Sequence, residues 1–405
     1  MLELRPRKKT ISEVFSGDYD FVIHPDDLPS IIKTILGICT KHESHLEVIT
    51  KSKNKRIFKI IKNGHSITVE LWINVELAGT ARLVKALQIS GRAICEAVQK
   101  QGAEHGNVIK AALYITHISY KKKSLLEGLQ VERIQFFTDS LYSLSQRESL
   151  TSSVDSLKEV YAALLRNDNV DLARANSIAL RVLADFGLNS RMRLFSRFQQ
   201  KRFSQSKIMK RIVPVIGPDG SGKTYICEHL EREDPTNRMH FPYKKFFRNL
   251  GYEFLIKSLR KLFSIKDKNK IDEKISGYLI LKATIFMFFW AVKLKIEKRI
   301  LFVDRYGWDY LLKGIRCDDS PPSRIMMSPA FLRLIPRPNR IIIMYGRATT
   351  VFSRKREVSE QELNFIYNTY LIFVASGHAR RALFCSTELG YDSVAKDVKD
   401  FLKNT

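Results

Sequence analysis

The feature that most constrains the fold is a glycine-rich stretch past the middle of the chain, residues 217–224, which reads Gly-Pro-Asp-Gly-Ser-Gly-Lys-Thr. The apolar run before it predicts a buried β-strand, and residues 225–230 after it predict a helix. A strand, a turn with these residues at this spacing, and a helix form the pattern of a phosphate-binding loop. Glycines let the backbone approach a triphosphate, and the amide groups at the helix N-terminus point at the anion. The stretch therefore predicts binding of a nucleoside triphosphate; the alternative is an ordinary glycine-rich turn.

The chemistry of such a loop gives each of its positions a predicted role. The residues expected to surround the phosphates of ATP are Gly217, Asp219, Gly220, Ser221 and Gly222. Lys223 is expected to reach the β and γ phosphates, and the Thr224 hydroxyl is expected to hold Mg²⁺. ATP and Mg²⁺ are therefore the predicted cofactors.

A second apolar run, residues 299–304, ends in a carboxylate. It predicts a buried parallel strand whose last residue, Asp304, emerges at the carboxyl edge of the sheet, where doubly wound folds bind their ligands. Asp304 is expected to join the Mg²⁺ site, and the adjacent Arg305 is expected to fork onto a phosphate.

The remaining C-terminal segments continue the alternation of strands and helices. Residues 340–345 predict a strand, and a helix beginning near residue 348 runs into a cationic cluster that contains Arg354 and Arg356. Such a cluster suits a lid over the transferring phosphoryl group, where positive charge stabilises the transition state. An exposed charged helix is the alternative. A last strand and helix are predicted at residues 382–385 and 394–402.

These motifs together resemble the thymidylate-kinase-like P-loop kinases over residues 211–405. The likeness extends to a divergent branch often found with bacterial surface-polysaccharide genes, which has Asp-Arg-Tyr-x-x-Asp-x-Leu and Arg-Lys-x-Glu patterns. The residues that match these two patterns are Asp304, Arg305, Tyr306, Asp309, Leu311, Arg354, Lys355 and Glu357. The resemblance implies that Lys223 and the lid arginines serve the phosphates. It also implies that Thr224 and Asp304 serve the Mg²⁺ and that Arg305 serves the phosphate of an acceptor.

Acidic residues also occur on predicted strands of the N-terminal half. Asp18 and Asp20 enter one apolar run, and Glu70 lies in a later run that follows an Asn-Gly turn. This layout resembles the core of the DNA-polymerase-β-like nucleotidyltransferase fold, in which an Asp-x-Asp pair and a third carboxylate hold two Mg²⁺ ions. The resemblance implies a metal site formed by Asp18, Asp20 and Glu70. The Gly-Ser that the family has upstream is missing here, so a binding module and plain polar strand ends are the alternatives.

The segments predict two α/β domains. Residues 1–190 are expected to form an α+β nucleotidyltransferase-like domain with a helical extension, and residues 191–210 a basic linker. Residues 211–405 are expected to form a P-loop kinase domain with a doubly wound parallel sheet. The helical extension is predicted from apolar residues at helical spacing in residues 81–99, 106–118 and 157–165.

The net charge of +26 predicts attraction to anions, whether polyphosphate substrates, nucleic acid or an anionic membrane surface. The 5 cysteines lack the spacing of a metal site and fit a reducing compartment. The N-terminus has no signal-peptide pattern. The apolar residues 283–292 are too few to cross a bilayer, which takes about 20. We expect a cytoplasmic protein, with peripheral attachment to the inner membrane face as an alternative and nucleic acid as a less favoured partner.

The sequence as a whole predicts a kinase that transfers the γ-phosphoryl group of ATP to a small phosphorylated acceptor, a nucleoside monophosphate first. One alternative is a kinase of a sugar or glycan intermediate, and another is a regulatory protein that binds nucleotide without acceptor-dependent turnover. The acceptor stays open because true thymidylate kinases grip thymidylate with an Arg-Glu-Pro-Gly stretch, which residues 237–245 do not contain.

Overall fold

A computed structural model describes most of the chain. The described residues are 2–3, 18–52, 54–62, 65–77, 87–121, 128–145, 151–166, 168–188, 191–192, 211–242, 297, 299–304, 338–354 and 359–403. The chain divides into two compact units, the first made of residues 1–28, 50–59 and 66–199 and the second of residues 29–49, 60–65 and 200–405. The boundaries at residues 190 and 210 stay a prediction.

Runs of strands and runs of helices follow one another along the described chain. The strands are β1 (Leu2–Glu3), β2 (Asp18–Val22), β3 (His45–Ser52), β4 (Lys55–Lys62), β5 (His65–Trp72), β6 (Asn74–Leu77), β7 (Leu87–Ser90), β8 (Arg191–Met192), β9 (Ile212–Ile216), β10 (Arg238–Pro242), β11 (Ile300–Asp304), β12 (Arg340–Tyr345) and β13 (Arg381–Ser386). The α-helices are α1 (Leu28–Lys41), α2 (Gly91–Lys121), α3 (Gly128–Ser145), α4 (Ser152–Leu165), α5 (Leu172–Asp185), α6 (Lys223–Glu233), α7 (Ala348–Arg354), α8 (Glu360–Ala375) and α9 (Tyr391–Lys403).

The first unit combines β-strands with a helical core. Strands β1, β2, β5 and β4 are neighbours in that order, and β2 runs parallel to β5. Helices α2 to α5 enclose a core whose centre includes the aromatic side chains of Phe137 and Tyr161. The buried Tyr161 hydroxyl donates a hydrogen bond to the carbonyl oxygen of Ala111 at 2.8 Å, so this polar group is satisfied inside the core. The helical extension predicted for this part of the chain is confirmed for residues 106–118 and 157–165.

One part of the helical prediction is wrong. Residues 87–90 lie in the range predicted as a helix from 81 to 99, but they form β7, which pairs antiparallel with β6 and with β8. The alternating sequence Leu-Gln-Ile-Ser has a strand period, and Ile89 is the residue that turns into the core. Helix α2 begins only at Gly91, where a Cβ atom would lie 2.5 Å from the carbonyl oxygens of Ile23 and Ile73. Two residues of the predicted linker, Arg191 and Met192, form β8.

The second unit contains a large, mostly parallel sheet. Its strand order is β3-β13-β12-β9-β11-β10, in which β13 pairs antiparallel with β3 and the other described pairings are parallel. Strands β9 and β12 are buried along their whole length, as expected for parallel strands covered on both faces. The predicted strands at 299–304, 340–345 and 382–385 are confirmed.

Helices cover both faces of this sheet. Apolar side chains of α6 and α9 pack against one face, which includes Val215, Ile342 and Leu383. Side chains of α1 and α8 lie against the other face of the sheet. The alternate strand residues Ile343 and Phe384 point to that face. The mixed α/β fold with a mostly parallel sheet is therefore confirmed for the second unit.

Candidate functional site

The glycine-rich loop lies between β9 and α6, at the carboxyl edge of the parallel strands. Gly217 directly follows β9 and has φ 154°. A Cβ atom on Gly217 would lie 2.6 Å from the carbonyl oxygen of Met344 and 2.8 Å from Ser221 Oγ. Both distances are shorter than a real Cβ contact, so only glycine fits where the loop passes β12.

The other end of the loop also depends on glycine. Gly222 has φ 82°, a left-handed conformation, and caps the N-terminus of α6. A Cβ atom there would meet the ring of Tyr391 at 3.2 Å. The turn thus delivers the chain into α6 with the first backbone amides of the helix at the loop, where they attract an anion.

Lys223 is the first residue of α6, and its side chain is 5% exposed. The ammonium group donates a hydrogen bond to the carbonyl oxygen of Pro218 at 2.6 Å, and its Nζ lies 3.8 Å from Asp219 Oδ1. Lys223 is therefore folded back over the loop that it follows. This places a buried cation at the glycine-rich loop.

Thr224 and Asp304 join the loop to the neighbouring strand. The Thr224 hydroxyl donates to Asp304 Oδ2 at 2.5 Å, across 80 positions of sequence. Asp304 is the last residue of β11, which pairs in parallel with β9. The other carboxylate oxygen, Oδ1, is buried and makes no hydrogen bond to any residue that the structure describes. A hydroxyl and a carboxylate oxygen with spare acceptor capacity are ligands that suit Mg²⁺.

Ser221 contributes a further polar group. Its side chain is fully buried, and its Oγ has no hydrogen-bond partner among the described residues. Buried hydroxyl groups usually have partners, so this oxygen is suited to bind a phosphate oxygen at the loop.

The predicted lid and acceptor residues fall partly outside the described chain. Arg305 and Arg356 are not among the described residues. Arg354 ends α7, and its guanidinium donates to the carbonyl oxygen of Thr387 at 3.0 Å. This contact holds Arg354 next to the segment that follows β13, and its role at a phosphoryl group stays a prediction.

The sequence did not predict that the segment after β13 borders the glycine-rich loop. Tyr391 begins α9, and its ring centroid lies 4.2 Å from that of Tyr225 in α6. Both rings are partly exposed, and Tyr391 also borders Gly222. The rule that every parallel strand ends at the ligand-binding edge would have pointed to the residues after β13.

The N-terminal carboxylates lie on paired strands, in the first unit. Asp20 is directly opposite Glu70 in the parallel register of β2 and β5. Trp72 Nε1 donates to Asp20 Oδ1 at 3.1 Å, and the Glu70 carboxylate forms an ion pair with Lys55. Burial and the neighbouring Asp20 raise the pKa of Glu70, against the smaller opposite effect of Lys55.

These contacts show the carboxylates engaged by protein groups. The side chain of Asp18 is outside the described atoms, so the site of Asp18, Asp20 and Glu70 stays a prediction. Elsewhere in the described ranges, no group of three or more His, Cys, Asp or Glu side chains is arranged to hold a metal ion. Among the helices that the structure describes, none is both long and apolar enough to cross a membrane.

Comparisons with known proteins add distant structural likenesses. No protein-family model matches the sequence. No curated protein sequence matches it. A structure of deoxyadenosine kinase from M. mycoides with the products dCMP and a flexible dCDP bound is 12% identical, with a TM-score of 0.34; the alignment covers 48% of this chain and 100% of that one. A second structure of that enzyme, with dATP bound, is 14% identical, has a TM-score of 0.32 and the same coverage of both chains.

A structure of thymidylate kinase from Ehrlichia chaffeensis is 16% identical, with a TM-score of 0.29, and the alignment covers 48% of this chain and 98% of that one.

Proposed function

We propose that this chain is an ATP-dependent phosphotransferase whose active site is the loop between β9 and α6. The observation that carries the proposal is the hydrogen bond from the Thr224 hydroxyl to Asp304 Oδ2. It joins the end of a glycine-rich loop to the end of the adjacent parallel strand, where a triphosphate and its counter-ion would meet. An ordinary glycine-rich turn has no need of a carboxylate at this position.

The reaction that we propose breaks the bond between the γ phosphorus of ATP and the oxygen bridging it to the β phosphorus. A new bond forms between that phosphorus and an oxygen of the acceptor, and ADP leaves with the electron pair of the broken bond. The attacking oxygen of a phosphate acceptor is already ionised at neutral pH, so no proton has to be removed from it. The chain contributes by positioning and by charge. The Lys223 ammonium neutralises charge on the phosphoryl oxygens, and the amides at the start of α6 bind the phosphates.

Thr224 and Asp304 fit a Mg²⁺ ion, because the Asp304 Oδ1 atom is buried and makes no hydrogen bond within the described chain. When bound, Mg²⁺ supplies charge neutralisation to the phosphate oxygens. The Thr224 hydroxyl and the Asp304 carboxylate would hold it, and their mutual hydrogen bond keeps both groups oriented.

The acceptor that we favour is a nucleoside monophosphate, and a phosphorylated sugar or glycan intermediate is second. Arg305 follows Asp304 in sequence, and a guanidinium there could bind an acceptor phosphate with two parallel hydrogen bonds. Arg354 and Arg356 are proposed to close over the phosphoryl group as it is transferred. Neutral acceptors would leave Arg305 without an anion.

An assay of ADP release tests this proposal against a regulatory nucleotide switch. The purified chain is supplied with Mg²⁺ and ATP, and with nucleoside monophosphates, phosphorylated sugars or neutral sugars in parallel. A kinase releases ADP faster when the correct acceptor is present, and we expect this with a phosphorylated compound. ADP release that no acceptor accelerates would favour the switch, and a preference for neutral sugars would contradict the assignment of Arg305.

For residues 1–190 we propose a nucleotidyltransferase-like fold that serves as a scaffold. The support is that Lys55 already neutralises the charge of Glu70, so a metal ion would have to displace it. Titration with Mn²⁺ in the absence of ATP tests this with the wild-type chain and with Asp20→Asn. Metal binding that the substitution weakens would instead indicate an active metal site.

A further inference from the structure

The second unit contains a cavity that the phosphotransferase site does not use. It has a volume of about 330 Å³ and lies between α1 and α8, above the ends of β12 and β13. All of its lining residues belong to the second unit. The cavity is on the face of the sheet opposite to α6, so it is distinct from the glycine-rich loop.

The charge of the cavity is one-sided. Lys33 and Lys41 line it from α1, and Arg347 lines it from the segment after β12. None of the described residues that line it is acidic, although Glu388, outside the lining, pairs with Arg347 at 3.5 Å between Nε and Oε2. The two lysines therefore carry the positive charge that attracts an anion to this partly enclosed space, and the low polarity of the walls strengthens that attraction.

The walls between these cations are aromatic. The side chains of Tyr345, Tyr367 and Phe384 line the cavity together. The Tyr367 hydroxyl accepts a hydrogen bond from the backbone N–H of Gly346 at 3.1 Å, which fixes that ring. Burial raises the pKa of Tyr345 and of Tyr367, so both stay neutral and do not offset the positive charge. Flat, rigid and partly polar walls of this kind favour a ring that can stack on them.

We propose that this cavity is a second ligand site, which binds a phosphate ester that carries a flat ring, a mononucleotide by chemical class. The volume is at the lower end of the range of small-molecule sites, about 300 to 1,000 Å³, and so suits one nucleotide rather than a dinucleotide. The phosphate would lie towards Lys33 and Lys41, and the ring against the tyrosines. This inference does not depend on the chemistry proposed for Lys223.

Gly37 offers a way to close the cavity without disturbing its walls. It lies in the middle of α1, on the same helical face as Lys33 and Lys41, and lines the cavity with them. A Cβ atom on Gly37 would meet nothing within 4 Å, so a larger side chain has room to enter the space. Alanine and leucine both form helix more readily than glycine, so Gly37→Ala and Gly37→Leu are expected to fold.

The test is equilibrium binding of nucleoside monophosphates by calorimetry to the full chain and to the variants. We expect at least one nucleoside monophosphate to bind about tenfold or more tightly than inorganic phosphate or the matching nucleoside, which lack the ring or the charge. Gly37→Leu is expected to weaken that binding at least tenfold, whereas Gly37→Ala should change it little.

The Lys223→Ala/Arg305→Ala double variant separates this site from the phosphotransferase site, because it removes the cation of the loop and the cation proposed to bind the acceptor, and neither residue is among the described residues that line the cavity. Monophosphate binding that persists in the double variant and disappears when Gly37→Leu is added to it supports the second site. Binding that is lost in the double variant, or that persists after Gly37→Leu is added to it, places the ligand elsewhere and overturns the proposal. Equal binding of ring-free sugar phosphates, or no binding of any monophosphate, would overturn it as well.

Discussion

Lys223 and Thr224 are adjacent in sequence at the start of α6, but their side chains make contacts of different kinds. Lys223 bends back to the carbonyl oxygen of Pro218, while the Thr224 hydroxyl reaches the end of β11. Consecutive helical residues point about 100° apart, so neighbouring positions at one helix terminus reach different partners. The motif singled out both residues, and the rule that ligands bind at the carboxyl edge of parallel strands singled out Asp304, but their mutual hydrogen bond was not predicted.

Arg305 is the residue on which the choice of acceptor depends. We expect Arg305→Ala to lower kcat/KM for the acceptor by about ten- to a hundredfold, the effect of losing one charge-assisted contact of about 1.5–3 kcal/mol. ATP binding should stay nearly unchanged, because only the acceptor loses its partner. Initial rates at varied acceptor and at varied ATP measure the two effects separately. Weakened ATP binding with an unaffected acceptor would reverse the assignment.

Glu70 is expected to make the free energy of unfolding depend on pH. Because burial and Asp20 raise its pKa above the ordinary 4.5, the folded chain holds this proton to higher pH than the unfolded chain. Its contribution to the free energy of unfolding is then complete below pH 4.5 and is lost as the pH rises through the folded pKa. The free energy of unfolding of wild type, measured relative to that of Glu70→Gln, should therefore fall as the pH rises from 4.5 through the raised pKa of Glu70.

Urea unfolding at several pH values checks this expectation. The exposed Glu159→Gln is the matched control, and its pH dependence should follow that of wild type. If the difference in free energy of unfolding between wild type and Glu70→Gln stays constant or grows with pH, then the pKa of Glu70 is not raised. The ion pair with Lys55 would then outweigh burial and Asp20.

At the scale of secondary structure, the elements predicted best are those whose burial leaves a clear local pattern. Strands β9, β11 and β12 are apolar runs because parallel strands in this sheet are covered on both faces. Strand β7 was missed because four residues are too few to separate a strand period from the helical pattern around them. The cavity between α1 and α8 had no local signal, since its walls come from segments about 300 positions apart in sequence.

Helix α8 supplies one wall of that cavity, and its start depends on a capping box. The Ser359 hydroxyl accepts from the backbone N–H of Glu362 at 3.3 Å, and the Glu362 carboxylate accepts from the backbone N–H of Ser359 at 2.8 Å. We expect Ser359→Ala to lower the free energy of unfolding by about 1 kcal/mol. Ser376→Ala, at the other end of α8, removes a hydroxyl that donates to the carbonyl oxygen of Ile372 and takes no part in the capping box. This variant should lower the free energy of unfolding less. Equal stabilities of the two variants, measured by urea unfolding, would contradict this account of the cap.

At the scale of the whole molecule, the second unit is assembled from distant parts of the chain. Residues 29–49 belong to it, and β3 pairs antiparallel with β13. Arg381 Nε donates to Glu47 Oε1 at 2.6 Å, a partly buried ion pair that spans 334 positions. Local sequence patterns do not report such pairings, because their energy is gained only once the sheet has formed. This is why the sequence predicted a kinase domain that begins at residue 211.

Glu47 tests this assembly. We expect Glu47→Ala to lower the free energy of unfolding by about 3 kcal/mol, because it leaves the Arg381 guanidinium without its carboxylate. Faster hydrogen exchange of the β13 amides should accompany the loss. The exposed Glu159→Ala is the control and should change neither quantity much. If the β13 amides of Glu47→Ala exchange at the wild-type rate, the ion pair contributes little to the stability of the pairing between β3 and β13.

Whether the loop between β9 and α6 is a phosphotransferase site is decided by Mg²⁺-dependent release of ADP from ATP, measured for Lys223→Ala, for wild type and for the exposed-lysine control Lys396→Ala. We expect Lys223→Ala to lose this activity by about a hundredfold or more, while its circular dichroism and unfolding midpoint stay close to those of wild type. Lys396→Ala should keep full activity. Full activity of a folded Lys223→Ala would contradict the assignment of the loop between β9 and α6 as a phosphotransferase site.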